Sequence, residues 1–122
     1  MTWGAPVDRL GAFVDGPRTV LAGAPDGPLA GVRLAVKDVF DIAGCVTGAG
    51  NPTFAERRGV ARATSSCVST LVDAGATVIG RTVTDELAYS LDGTNVHLGA
   101  PYNSVYPGHV TGGSSSGSAA AV

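Results

Sequence analysis

Lys37 is the one lysine in the sequence, and it stands inside an apolar stretch, Leu34-Ala35-Val36-Lys37-Asp38-Val39. Lysine is rarely fully buried. Where it is, desolvation penalises the ammonium and weakens its hold on the proton, leaving an amine able to act as a general base near neutral pH. A strand-end lysine paired with Asp38 or Asp41 fits the same pattern. The second concentration of reactive groups is Gly112-Gly113-Ser114-Ser115-Ser116-Gly117-Ser118, four serines among three glycines. Glycine permits sharp turns, and a serine hydroxyl both donates and accepts hydrogen bonds. Such a segment serves as a flexible linker, as an anion-binding nest at a helix N-terminus, or as a catalytic serine cluster. No Gly-Lys-Ser/Thr follows, so a P-loop is excluded. Gly113 to Gly117 satisfies G-x-S-x-G centred on Ser115. That arrangement needs an acid and a histidine after the serine, and five residues follow Gly117. His97 and His109 precede the serines, but no spacing pairs either with Ser114, so both read as surface or supporting histidines. Asp85, Glu86 and Asp92 read as helix-end acids.

Several elements must position these groups. Val32 to Val39 alternates as a strand does, with Val32, Leu34 and Val36 on one face and Arg33, Ala35 and Lys37 on the other. Thr64 or Ser65 is placed to cap a helix whose apolar stripe is Cys67, Val68, Leu71, Val72 and Ala74. Gly75 stands where that helix should stop. Ala76 to Gly80 is a short apolar run that reads as a buried strand. Strand, crossover helix and strand predict a parallel pair. Thr84 is the expected N-cap of a further short helix over Leu87 to Leu91, closed by Asp92-Gly93. Thr94 to Thr111 reads as loop, and Gly23 to Pro28 as loop or linker. Ala119-Ala120-Ala121 favours a helix starting near Ser116, against the linker reading.

Composition narrows the function classes. Hydrophobic residues make up 44% and charged residues 15% of the 122 residues, which suits a folded chain. A net charge of −2 offers no basic surface for nucleic acid. No run approaches the ~18 apolar residues of a membrane span, and Met1 to Pro6 lacks the pattern of a secretory leader. Cys45 and Cys67 make no metal-ligand spacing and read as reduced thiols of a cytoplasmic protein. Two strands are few for an open parallel sheet, so the folding unit is expected to be longer than this chain.

The order of motifs carries a resemblance. Gly31-Val32-Arg33-Leu34-Ala35-Val36-Lys37-Asp38 is followed by Ala74-Gly75-Ala76-Thr77-Val78-Ile79-Gly80-Arg81-Thr82. Asp85-Glu86-Leu87-Ala88-Tyr89-Ser90, Asn103 and the Gly112 to Ala119 segment come next. From about Gly31 to the last residue the chain resembles the amidase signature family. Gly11-Ala12-Phe13-Val14 and the stretch from Asp41 to Pro52 look like its indole-3-acetamide amidohydrolase branch. Thr111 and Ser104 stand where the family often has proline.

The resemblance implies an α/β fold, with residues 1–122 the N-terminal portion of a single α/β/α sandwich domain around a mixed central sheet. It implies a Ser–cis-Ser–Lys triad in which Lys37 is the lysine and Ser114 the cis-serine, preceded by a cis peptide. Ser115 supports the hydrogen-bond network, and Gly113 keeps the crowded turn free of a side chain. The family's nucleophilic serine and oxyanion-hole amides lie further along than Val122. The implied activity of the complete protein is hydrolysis of a small carboxylic amide to acid and ammonia, with no metal or organic cofactor, in a homodimer of the full-length protein. The rival expectations are a non-catalytic module and a relative of the glutamine-dependent aminoacyl-tRNA amidotransferase subunit.

Overall fold

The computed structural model describes residues 7–16, 18 and 20–122. The opening hexapeptide, read above for a leader pattern, lies outside the described residues. The elements run β1 (Arg33–Lys37), α1 (Pro52–Arg58), α2 (Ser66–Asp73), β2 (Thr77–Thr82), a single 3-10 turn (Glu86–Ala88) and α3 (Ser116–Ala121).

β1 and β2 pair in parallel, as the strand–helix–strand order requires. β1 is shorter than its alternation suggests. It ends at Lys37, where the amides of Val39 and Phe40 both turn back to the Lys37 carbonyl. β2 is longer than its apolar run, because Arg81 and Thr82 continue the ladder opposite Val36 and Lys37. Its other edge is covered by antiparallel bridges from Phe13 and Leu21, so β2 is hydrogen-bonded on both sides. The core lies between the sheet and α2. Val36, Ile42, Val68 and Val78 are buried together, with Leu21, Leu34, Cys45 and Val72 packed against them.

Local chemistry accounts for the helices. Asn51 caps α1 by accepting from the Phe54 amide at 2.8 Å, and Pro52 supplies the preset φ of a first helical turn. This helix is not expected from periodicity, because none of its residues is buried. α2 starts after Ser65 as expected, but no side chain caps it, and the Thr64 hydroxyl instead accepts from the Ala43 amide. Gly75, at φ 110°, ends it as expected. The stretch from Gly23 is no free linker. The Ala24 and Leu29 amides bond the Val72 and Ala74 carbonyls at 3.0 and 2.8 Å, so this loop closes the C-terminal end of α2.

Two further expectations are corrected around Thr84. The helix over Leu87 to Leu91 is only the 3-10 turn, with Leu87 and Ala88 at φ 50° and 55°. Thr84 does not cap it, because its hydroxyl is engaged with the serine segment thirty residues on.

Candidate active site

The parallel pairing brings the C-terminal ends of β1 and β2 to one edge, where ligand sites of α/β sheets commonly lie. Lys37 is the last residue of β1 and half-buried. Its Nζ donates to Ser114 Oγ at 2.7 Å, across 77 residues of chain. Burial pushes the Lys37 pKa below the usual lysine value, and the negative charge of Asp85 opposes that shift. An amine with a weakened hold on its proton, bonded to a serine hydroxyl, can exchange a proton with it.

Ser114 is fixed mainly by the residues that continue β2. The Thr84 hydroxyl donates to the Ser114 carbonyl at 2.9 Å, and the Asp85 amide donates to the same oxygen at 3.0 Å. On the preceding side, the Gly113 amide donates to the Leu91 carbonyl at 3.0 Å. On the following side, the Gly117 amide donates to the Val83 carbonyl at 3.1 Å, and the Ser118 and Thr82 hydroxyls bond each other at 2.8 Å. The serine segment is thus stitched along residues 82–85 and is no flexible linker. The Gly113–Ser114 peptide is cis.

Ser115 stands at the N-cap position of α3 but is exposed, and its side chain makes no cap bond. Ser116 is the buried serine. The alternative carboxylate pairings of Lys37 are taken up elsewhere. Asp38 is paired with Arg81 and Asp41 with Arg58, each at 2.6 Å. His97 bonds Glu86 and His109 packs edge-on against Tyr106, so neither is drawn to Ser114.

Two residues of the site escape the sequence reading. Asp85, which reads as a helix-end acid, is fully buried at 0% exposure beneath the Gly113 turn. Asn95 is buried and donates from Nδ2 to the Gly50 and Thr84 carbonyls, at 2.9 and 3.0 Å, bracing the strand extension that holds Ser114. Neither has a local signal, since both are defined by partners distant in the chain. An open cavity of about 900 Å³ lies on the sheet face, lined by Leu10, Phe13, Leu34 and Ile79 among others, away from this pair.

Comparison with known proteins fits the geometry. The family model described as Amidase matches residues 14–122. The chain belongs to the amidase signature family. Amidase 1 of Oryza sativa subsp. japonica is 53% identical over 114 residues, covering 92% of this chain and 26% of the relative. The chloroplastic outer envelope protein 64 of Arabidopsis thaliana is 45% identical over 120 residues, covering 98% and 20%. Among solved structures, 6-aminohexanoate cyclic dimer hydrolase superposes with a TM-score of 0.73 at 31% identity, covering 80% of this chain and 20% of that one. The chain thus spans about a quarter or less of the length of these relatives. Its α/β architecture is that of the superposed hydrolase.

The cytoplasmic location expected from the sequence is overturned by these relatives. Beside the Arabidopsis protein stands a translocon component at the outer membrane of pea chloroplasts, 50% identical over 95 residues. The expectation rested on cysteines read as reduced and on missing apolar segments, and neither encodes an address. Neither Cys45 nor Cys67 forms a disulfide among the described residues, a state shared by many reducing surroundings. Among the described residues no helix is long and apolar enough to cross a membrane.

Proposed function

We propose that this chain is the N-terminal portion of an amidase domain and supplies the proton-relay half of its site. Lys37 is the general base and Ser114 the relay. The nucleophilic serine and the oxyanion-hole amides belong to sequence that follows Val122 in the complete protein. The observation that carries this reading is the 2.7 Å contact between Lys37 Nζ and Ser114 Oγ.

Serine is a weak nucleophile until its proton is removed. Here Ser114 Oγ takes the nucleophile's proton and passes its own to Lys37 Nζ, which becomes an ammonium. The activated serine adds to the amide carbonyl, and the tetrahedral oxyanion is held by backbone amides. Collapse expels ammonia, protonated by the return of the same proton through Ser114. Water then repeats the relay on the acyl-enzyme and releases the acid. Lys37 must be neutral at the start, which its depressed pKa favours.

The substrate class is a small carboxylic amide. Indole-3-acetamide is the first to test, on the resemblance of residues 11–14 and 41–52 to that branch. Ammonia release by the complete protein should fall at least 100-fold in Lys37→Met and Ser114→Ala, the scale of a lost general base or relay. Turnover that survives both substitutions would refute the relay. A second reading, as the ammonia-supplying part of an amidotransferase, is favoured by a glutamyl-tRNA(Gln) amidotransferase chain of Halobacterium salinarum, 39% identical over 113 residues. Glutamine cleavage dependent on a partner protein, without cleavage of simple amides, would select it.

A further inference from the structure

Asp85 is buried completely, in a place its local sequence does not explain. A buried carboxylate is costly unless its oxygens are satisfied. Asp85 Oδ2 accepts a 3.2 Å bond from the Gly93 amide, and Oδ1 has no hydrogen-bond partner among the described residues. The role of a helix-end acid does not account for it, because the side chain makes no cap bond and the helix is one 3-10 turn.

Its surroundings point elsewhere. The carboxyl group lies directly against Gly113. A Cβ on Gly113 would come within 2.7 Å of Asp85 Cγ and 2.8 Å of Oδ1, and closer still to Oδ2. The Asp85 amide meanwhile donates to the Ser114 carbonyl. One residue therefore grips the turn through both its backbone and its side chain.

Electrostatics narrows its role. Asp85 supplies the negative charge acting on Lys37. The other acids near the strand ends are engaged with partners of their own. Asp38 pairs with Arg81 and accepts from the Gly48 amide, Asp41 pairs with Arg58, and Glu86 accepts from Asn51 and bonds His97.

We propose that Asp85 is the positioning residue of this site, a buried carboxylate that seats the Gly113–Ser114 turn beside Lys37 and stabilises the Lys37 ammonium formed when the relay delivers its proton. This rests on the reading of Lys37 and Ser114 as base and relay. The step balances: the proton leaves Ser114 Oγ for Lys37 Nζ, the new positive charge is the one that the Asp85 carboxylate favours, and the proton later returns to the leaving ammonia. Asp85 itself gives up and takes up nothing.

The test is Asp85→Asn in the complete protein, which keeps the side-chain size and an oxygen for the Gly93 amide while removing the charge. Lys37 is followed by ¹⁵Nζ-lysine NMR, its resonance assigned by loss in Lys37→Arg. The Lys37 pKa should fall by about one unit, the size of a lost nearby opposite charge. The ascending limb of kcat/KM should move to lower pH with it, while kcat drops about tenfold and KM holds, one pKa unit corresponding to a tenfold effect. A variant that melts earlier but leaves the Lys37 titration unmoved overturns the proposal. If the wild type turns over no amide, the proposed function fails separately, and the Lys37 titration still decides on Asp85. If Asp85→Asn does not fold, the Asp85 ¹³Cγ shift of the wild type is followed instead. A step at the pH where Lys37 titrates, lost in Lys37→Met, supports the pairing, and its absence overturns it.

Discussion

Gly117 is the position where helix propensity and packing forecast opposite outcomes. It lies in the first turn of α3, where exchange of glycine for alanine should stabilise a helix by about 1 kcal/mol. Yet its Cα rests on the bridge between residue 12 and the end of β2, where the Val83 amide donates to the Ala12 carbonyl at 3.0 Å. A methyl group on Gly117 would lie 2.6 Å from Val83 N and 2.9 Å from Val83 Cγ2, and nearer still to the Ala12 carbonyl oxygen. These neighbours are largely backbone, so the helix must give way. Ordinary contact at 3.4 Å requires α3 to retreat by about 0.8 Å from Val83 N alone, and by more from the Ala12 carbonyl oxygen. That retreat stretches the 3.1 Å Gly117–Val83 bond beyond hydrogen-bonding range and loosens the 2.8 Å Thr82–Ser118 bond. Two bonds at about 1 kcal/mol each and overpacking of about 2 kcal/mol, less the propensity gain, leave a net loss of about 3 kcal/mol. Urea denaturation of the complete protein should show the midpoint of Gly117→Ala lowered with an unchanged slope. Ammonia release should fall with it, because Ser114 lies just before the displaced turn. A variant as stable as the wild type, or more so, would refute the packing argument.

Thr84→Val keeps the shape and removes the hydroxyl that donates to the Ser114 carbonyl. It should cost about 1 kcal/mol by denaturation and lower kcat more than it raises KM. Asn51→Ala removes both the cap on the Phe54 amide and the bond to Glu86, so a loss of about 1 kcal/mol is expected in the same assay. For Lys37 the sign follows from its depressed pKa. Between the folded-state value and the usual 10.5, the unfolded chain holds the extra proton, so wild-type stability rises with pH through that window. As pH rises toward 10.5, urea midpoints should therefore climb for the wild type relative to Lys37→Met, and parallel curves would contradict the burial of this amine.

What is legible in the sequence is whatever depends on near neighbours. The alternation around Val36 and the stripe of Val68, Leu71 and Val72 locate β1 and α2, because each needs only its own period to be seen. α1 escapes that test although Asn51-Pro52 is a strong start signal, since a helix that buries nothing has no stripe. Thr84 and Asp85 mislead for a different reason. Locally both suit a helix N-terminus, and that role loses here to partners far along the chain: the Ser114 carbonyl for Thr84, and Gly93 and Gly113 for Asp85. Resemblance gives the hydroxyl of Ser115 a supporting part, yet that residue is exposed, while Ser118 makes the bond that docks α3.

The register of the sheet is what joins these pieces into one site. Leu34 pairs with Val78, but Ala35 pairs with Gly80, so β2 carries one extra residue between them. Without that bulge, Lys37 would stand opposite Arg81. With it, Lys37 stands opposite Thr82. Because side chains alternate faces, a one-residue slip reverses which β2 side chains share the lysine's face. The bulge therefore aligns Lys37 with the threonine whose hydroxyl anchors Ser118, and so with the helix whose first turn follows Ser114. Strand alternation alone identifies the face of Lys37 within β1 and says nothing of its level against β2. The same irregularity sets the core, keeping Val36 buried while Arg81 reaches across to Asp38. Sheet register and the approach of lysine to serine are thus one constraint.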